Sequence, residues 1–519
     1  MLISLLLILP FVCSCLMLAS SSRDVNSSFR MGLSFAAIPL IFATVLIFTG
    51  GQQTDSRIWF SFLNVDFSFS LYGHGLSLWM AWLTSLLCFL AFAYSRDALN
   101  FGVKKFAVGM FALEGTIIGA FLSAKNLVQF LFFFEAMILP AAILIALYGG
   151  LKRRRAVITF SLYTLAGSIP LLFAAWYLIL KAGSDDIDAL VQTVRALPVA
   201  TQTSLFIAFA IAFAVKTPVF PFHSWQGISY SEAPYPLSAI LSGAMAKVGI
   251  FGFAIWTIPL FNVDYKFCLI PIALFSALYG AALALRQINI KRLLAFSSMS
   301  HLGLALAGLF CLDDIVNAGV AVMLVGHGLT AGGLFFFGGI VQKWTGSTDI
   351  KSFGAFASTN PVYASIFGFL SIAAIAVPCT VGFVGEFLIL QGLFNSGLPL
   401  FGVIGGICII CSAAYMLRLI KNVLFGPIPE NPSRAGISLS KYEGIAAVPI
   451  MFLIVYLGLH PAHILNSFET EKKNDALTEM EMQEFEKFLE SLLNVEGIEF
   501  VTENDSLASE DLEENNDEQ

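Results

Sequence analysis

The chain is a succession of apolar stretches, most about twenty residues long, separated by short polar joints. Twenty helical residues cover the roughly 30 Å of a bilayer's hydrocarbon, so each stretch predicts a transmembrane helix. Fourteen are expected. In the first half they lie near 2–20, 31–50, 75–95, 106–124, 127–149, 156–181 and 203–222. In the second half they lie near 236–258, 267–285, 293–311, 316–341, 362–391, 398–417 and 442–460. Leu2 to Leu18 has neither a positive n-region nor a small-residue cleavage site, and reads as a spanning helix rather than a signal peptide. The pattern predicts an all-α integral membrane protein.

The joints carry a second pattern. Lys and Arg number 18 over the odd-numbered connections and 5 over the even-numbered ones. A miscounted span would scramble that alternation. By the positive-inside rule the odd loops face the cytoplasm and both termini lie on the other side. A bacterial inner (cytoplasmic) membrane is favoured over that of an organelle.

Composition agrees. The chain is 57% hydrophobic and only 12% charged, with a mean hydropathy of +0.82, against about 25% charged in soluble proteins. The net charge of −7 comes from one segment. Residues 469–519 hold 18 acidic and 3 basic side chains, leaving 25 basic and 17 acidic in the remainder. The body is therefore mildly basic and the tail strongly acidic. Helical periodicity over 476–494 (Met480, Phe485, Phe488, Leu492) predicts a short amphipathic helix, and the acidic run beyond Glu496 reads as disordered. A solvated extension and a docking segment are both open readings of this tail. Eight cysteines lie scattered, apart from Cys13-Ser-Cys15 and Cys408-Ile-Ile-Cys411. The second has redox-motif spacing but sits in an apolar run without metal ligands nearby, so packing is the expected role. No haem, zinc or iron–sulfur spacing occurs, and nothing points to nucleic acid.

An ionisable side chain in a spanning helix costs about 2.5–3.5 kcal/mol on insertion scales, so each is a functional candidate. They are Glu114, Glu135, Lys216, His223, Lys247, His301, His327 and Glu386. The alternative for each is a charge that snorkels to the interface or pins helix packing. That alternative is fair for Glu114 and weak for Glu135, Lys216, Lys247 and Glu386, which have long apolar flanks. Desolvation disfavours an ammonium ion and a nearby carboxylate favours it, so a lysine whose distance from a glutamate changes can hold and then release a proton. An imidazole can take a proton on one nitrogen and give it up from the other. The set is a parts list for proton relay. No two members stand at i, i+4, which speaks against a metal site.

Two of these helices should be interrupted. Lys216 precedes Thr217-Pro218-Val219-Phe220-Pro221-Phe222-His223, and Pro378 stands eight residues before Glu386. Proline removes a donor and clashes with the preceding turn, and irregular backbone survives in a membrane only against protein or water. The interruptions fall in the seventh and twelfth spans, five apart, as in inverted five-helix repeats. The expected organisation is helices 1–3 over 1–105, repeats over 106–258 and 259–417, helix 14 over 418–465 and the tail over 466–519.

At these residues the chain resembles a family. Phe132-Phe133-Phe134-Glu135-Ala136-Met137-Ile138-Leu139-Pro140, Ala214-Val215-Lys216-Thr217-Pro218, Ser298-Met299-Ser300-His301-Leu302-Gly303 and Val381-Gly382-Phe383-Val384-Gly385-Glu386-Phe387 are similar to motifs of the antiporter-like membrane subunits of respiratory complex I. The likeness runs in order over about residues 1–460. It implies that Glu135 pairs with Lys216, that Lys247 is the central lysine of the eighth helix, that His301 and His327 connect, and that Glu386 ends the path. Other family members usually carry lysine where Glu386 stands, which assigns the chain to the glutamate-bearing branch. Three positions depart from the family: Tyr230 before Ser231-Glu232-Ala233-Pro234, Gln226-Gly227-Ile228-Ser229 after Trp225, and His74 before the third helix.

The expectation is a non-redox, proton-translocating membrane subunit of an NADH–quinone oxidoreductase, with site residues Glu135, Lys216, His223, Lys247, His301, His327 and Glu386. It implies no cofactor in this chain, with flavin, iron–sulfur clusters and quinone in partner subunits. The partners implied are other membrane-arm subunits, including the L-like and N-like antiporter-like ones, and the lipid bilayer. A sodium/proton antiporter subunit, a subunit of a membrane-bound hydrogenase complex and an inert scaffold are the competing readings.

Overall fold

The computed structural model describes residues 2–20, 24–54, 56–63, 65–98, 102–261, 265–427 and 439–467. The chain divides into Met1–Phe468 and Glu469–Gln519. The second unit, including the helix expected over 476–494, lies outside the described residues.

The first unit begins with α1 (Leu2–Ala19) and α2 (Val25–Phe48). Short strands β1 (Gln52–Gln53), β2 (Arg57–Phe62), β3 (Val65–Phe69) and β4 (Tyr72–Gly73) precede α3 (Gly75–Ala98). Next come α4 (Val103–Leu122), α5 (Leu127–Ala136), α6 (Ile138–Tyr148), α7 (Arg153–Ala182), α8 (Ile187–Arg195) and α9 (Val199–Lys216). The middle of the chain forms α10 (Ser224–Glu232), α11 (Tyr235–Ile240), α12 (Lys247–Gly252), α13 (Ile258–Leu260), α14 (Lys266–Arg286) and α15 (Ile290–Leu309). The last elements are α16 (Asp314–Thr345), α17 (Phe356–Thr359), α18 (Pro361–Ala373), α19 (Val381–Asn395), α20 (Pro399–Leu424) and α21 (Lys441–Leu459).

This is a multi-pass membrane protein. Among the described residues thirteen helical spans are long and apolar enough to cross a bilayer. The stretch expected at 362–391 is instead made of two shorter apolar helices, α18 and α19. Helix α16 lies at the centre, buried throughout its apolar window, whereas only a third of the window of α7 is buried. Close approach at the centre uses glycine: a Cβ on Gly328 of α16 would sit 2.5 Å from Leu83 of α3 and 2.9 Å from the Gly243 carbonyl. Small residues at such crossings let helices pack without a hydrophobic driving force.

Several helices stop where the chain chemistry demands it. Pro140 has no N–H for the Ala136 carbonyl, and the chain divides there into α5 and α6 around Met137. Helix α9 ends at Lys216 and α10 begins at Ser224. Groups freed by that gap find partners across it: the Phe220 N–H donates to Ser276 Oγ at 3.0 Å, and Trp225 Nε1 donates to the Val215 carbonyl at 3.0 Å. Between α18 and α19, Ala376 (φ 59°) and Cys379 (φ 74°) flank Pro378 in the left-handed region, at a cost of about 1–3 kcal/mol each. Gly458 of α21 covers this segment, since a Cβ there would lie 2.5 Å from the Cys379 carbonyl oxygen.

Two loop contacts have the same construction. Leu127 N donates to Asp185 O and Ile187 N to Lys125 O, at 2.9 and 3.0 Å; Ile290 N donates to Thr348 O and Ile350 N to Ile288 O, at 2.9 and 2.8 Å. Asn126 bridges Asp186 in the first and Asn289 bridges Asp349 in the second. A serine hydroxyl two residues earlier caps each aspartate N–H: Ser184 at 3.1 Å and Ser347 at 3.0 Å. Each pair is separated by sixty residues.

The sequence reading placed no strand in the chain. β2 and β3 form an antiparallel hairpin, Arg57 opposite Phe69 and Phe62 opposite Val65. Val65 and Phe67 face inward, while Trp59 is 74% exposed with Ile58, Phe60 and Phe62 beside it. Ser68 anchors the hairpin, its N–H and Oγ donating to Asp185 Oδ1 at 3.0 and 2.9 Å.

Candidate functional site

The last residue of α9, Lys216, is buried. Its ammonium donates to the Phe134 carbonyl at 3.3 Å and sits 4.7 Å from the centre of the Phe134 ring. The acceptor lies one residue before Glu135, at the α5–α6 junction. Glu135 and Lys216 interact electrostatically, and Ser168 of α7 lies against the Glu135 carboxylate, whose buried Oε1 has no hydrogen-bond partner among the described residues. The lysine therefore directs an N–H at a backbone carbonyl next to the glutamate.

Helix α12 stands against the C-terminal end of α9. A Cβ on Gly249, two residues beyond Lys247, would lie 2.2 Å from Thr217 Oγ1 and 2.7 Å from Thr217 N. Thr217 Oγ1 is buried and has no partner among the described residues, on the side of the Lys216 gap that faces the helix of Lys247.

Lys247 is fully buried and lies between two π-helical turns, Leu241–Met245 and Phe253–Thr257. Such widened turns recur at functional sites. Across the first turn the Lys247 ammonium donates to the Ser242 carbonyl at 3.1 Å. The Ser242 hydroxyl meets Ser298 Oγ of α15 at 2.5 Å, and Ser298 Oγ meets His327 Nε2 of α16 at 2.8 Å. The His327 ring stacks on His301, centroids 5.3 Å apart. His301 Nδ1 lies 3.2 Å from Glu386 Oε1, and its Nε2 lies 3.2 Å from the Tyr415 hydroxyl of α20. Four helices, α12, α15, α16 and α19, thus bring Lys247, His301, His327 and Glu386 into one buried polar row. Ser298 and His301, three apart, share a face of α15.

Two ionisable groups stand apart from this row. The His223 ring packs against Phe220 and Tyr279, at 5.8 and 5.2 Å, and its buried Nδ1 has no partner among the described residues. Glu114 is fully buried in α4, beside Ser85 and Cys88, with neither carboxylate oxygen in hydrogen-bonding geometry with a partner among the described residues. All eight cysteines are unpaired, and Cys408 Sγ points at the Leu274 carbonyl 3.9 Å away.

Sequence reasoning missed Ser242, Ser298 and Tyr415. Hydroxyls are common in apolar helices and cost little to bury. Their only signal was position: Ser242 falls five residues before Lys247 and Ser298 three before His301.

A row of buried acids, bases and hydroxyls inside a helical bundle defines the class of proton-conducting membrane subunits. Residues 124–411 match the family described as NADH:quinone oxidoreductase/Mrp antiporter, TM, and the chain belongs to that family. It is 33% identical over 426 residues to NADH-quinone oxidoreductase subunit M of Rickettsia prowazekii (strain Madrid E), covering 82% of this chain and 86% of the relative. Among solved structures it is similar to a chain of respiratory complex I from Thermus thermophilus, with a TM-score of 0.81, 28% identity and coverage of 91% and 98%. A chain of the Mrp complex from Dietzia sp. DQ12-45-1b shares the fold at a TM-score of 0.79 and 22% identity, over 90% of this chain and 52% of that one.

Proposed function

We propose that this chain is the M-type subunit of an NADH–quinone oxidoreductase and moves protons across a cell inner membrane while partner subunits carry the electrons. The observation that supports this most is the buried row from Lys247 through Ser242, Ser298, His327 and His301 to Glu386. Glu135 and Lys216 form the switch: when Lys216 leaves the Phe134 carbonyl and the glutamate, desolvation favours release of its proton toward Thr217 and Lys247. Driving one charge against 100 mV takes about 2.3 kcal/mol, and a hundredfold change in proton affinity supplies about 2.7 kcal/mol. A modest rearrangement of one ion pair suffices.

In this reading odd loops face the cytoplasm, both termini face away from it, and the two loop clasps mark two five-helix repeats. Five crossings separate the clasps, which sets them on opposite faces. Flavin, iron–sulfur clusters and quinone belong to the partner subunits. The exposed aromatic face of the hairpin, led by Trp59, suits contact with a neighbouring membrane-arm subunit of the L-like or N-like kind.

Mass spectrometry of the native complex purified in detergent tests the assignment. Flavin and iron–sulfur subunits co-purifying with this chain is the expected result. Recovery with small antiporter subunits alone would replace it with a sodium/proton antiporter.

A further inference from the structure

The two clasps give a register between the halves of the chain. Glu135 lies nine residues beyond the clasp residue Asn126, and Ser298 lies nine residues beyond its counterpart Asn289. Thr164 and His327 likewise stand at matching places, each thirty-eight residues beyond its clasp asparagine. The place held in the first half by a carboxylate is therefore held in the second by a hydroxyl. The place held by Thr164, one turn from the Ser168 that lies against Glu135, is held by an imidazole.

Among the described residues, the Ser298 hydroxyl joins the lysine end of the row to its histidine end by hydrogen bonds. Its Oγ lies 2.5 Å from Ser242 Oγ and 2.8 Å from His327 Nε2, and both Ser242 and Ser298 are fully buried. The Lys247 ammonium rests on the carbonyl of the same Ser242.

We infer that Ser298 is the second half's counterpart of Glu135 and is an obligatory proton conduit between Lys247 and His327; this rests on the proton-translocating function proposed above. A swing of the Lys247 ammonium from the carbonyl to the hydroxyl of Ser242 delivers a proton to Ser242 Oγ. Ser242 passes its own proton to Ser298 Oγ, and Ser298 passes its own to His327 Nε2. Each oxygen gains one hydrogen and loses one, so Lys247 ends neutral, His327 ends as imidazolium, and rotation of the two hydroxyls resets the chain. A hydroxyl cannot hold the charge as a carboxylate can. In the first half the proton waits on Glu135 and Lys216, and in the second it runs through Ser298 to wait on His327.

The test places Ser298→Ala, Ser298→Thr and Lys247→Met in the assembled complex and reads NADH-driven proton uptake into membrane vesicles, with assembly followed on native gels. Positioned proton donors contribute about 10²–10⁴-fold, so Ser298→Ala should lower uptake at least about tenfold and Ser298→Thr should restore most of it. Normal uptake by Ser298→Ala beside an inactive Lys247→Met would overturn this inference and leave the proposed function standing. Normal uptake by both would overturn the proposed function as well. Equal failure of the Ala and Thr variants at normal assembly would also overturn the conduit role, because the hydroxyl would not be the determinant. If Ser298→Ala does not assemble, Ser298→Val, which matches the shape of the rescuing threonine without its hydroxyl, takes its place with the same expected loss.

Discussion

His301 holds Glu386 at 3.2 Å through Nδ1 while its other nitrogen meets the Tyr415 hydroxyl at 3.2 Å. Both ring nitrogens are thus engaged, and the ring's remaining neighbour is His327, stacked on its face. The imidazole is gripped between an acid and a phenol, an arrangement that fixes which nitrogen addresses the carboxylate.

Glu386→Gln keeps the size and an oxygen acceptor for His301 but cannot take up a proton. NADH-driven proton uptake by the variant complex should fall at least about tenfold, with assembly unchanged on native gels. Uptake at the normal rate would remove Glu386 from the path.

Tyr415→Phe leaves His301 Nε2 without its partner and the ring free to choose its tautomer. Loss of one hydrogen bond, about 1 kcal/mol, predicts uptake slowed by about fivefold and an altered pH profile, where a purely structural role would leave that profile in place. An unchanged rate and profile would show that Tyr415 only fills space.

Gly249→Ala sets a methyl group 2.2 Å from Thr217 Oγ1 and 2.7 Å from backbone atoms of Phe213 and Thr217. Backbone cannot yield as a flexible side chain does, so overpacking by about 1–3 kcal/mol is expected, seen as reduced assembled complex. Gly406→Ala, where a Cβ meets nothing within 4 Å, is the matched control and should be neutral.

Asp185 lies outside the spanning helices, and burial raises its carboxyl pKa above the usual 3.8 despite the hydrogen bonds from Ser68. A raised folded-state pKa contributes stability that is complete below the unfolded value and is lost as pH rises through the folded one. The wild type therefore has less of it at pH 7 than at pH 4. Asp185→Asn keeps the acceptor for Ser68 without the charge, so its unfolding temperature should equal or exceed the wild type at pH 7, with the gap closing toward pH 4. A larger deficit at pH 7 than at pH 4 would contradict this.

Much of this was legible in the chain itself. The spans announced themselves because a bilayer demands about twenty apolar residues whatever their neighbours, and expected and observed helices agree within a few residues at most ends. Lys216, Lys247 and Glu386 stood out because charge in hydrocarbon is rare. The hydroxyls did not: which serine faces which histidine depends on helix rotation, so Ser298 became visible only once α15 and α16 were placed side by side. The hairpin was hidden for another reason. Its β2 strand exposes all six residues and so lacks the inside–outside alternation that marks a half-buried strand. The π turns around Lys247 pack against α3, α9 and α16, contacts that the local sequence does not announce. His223, singled out by its charge beside two prolines, lies among aromatic rings away from the row.

The most direct measurement is the ratio of protons moved to NADH oxidised by complex carrying Lys247→Met, a variant that keeps a long apolar stem and discards only the ammonium. The ratio should drop below that of the wild type at equal assembly, because the path through this chain loses its central carrier. A ratio equal to the wild type's would mean that hydrogen ions do not cross through this subunit.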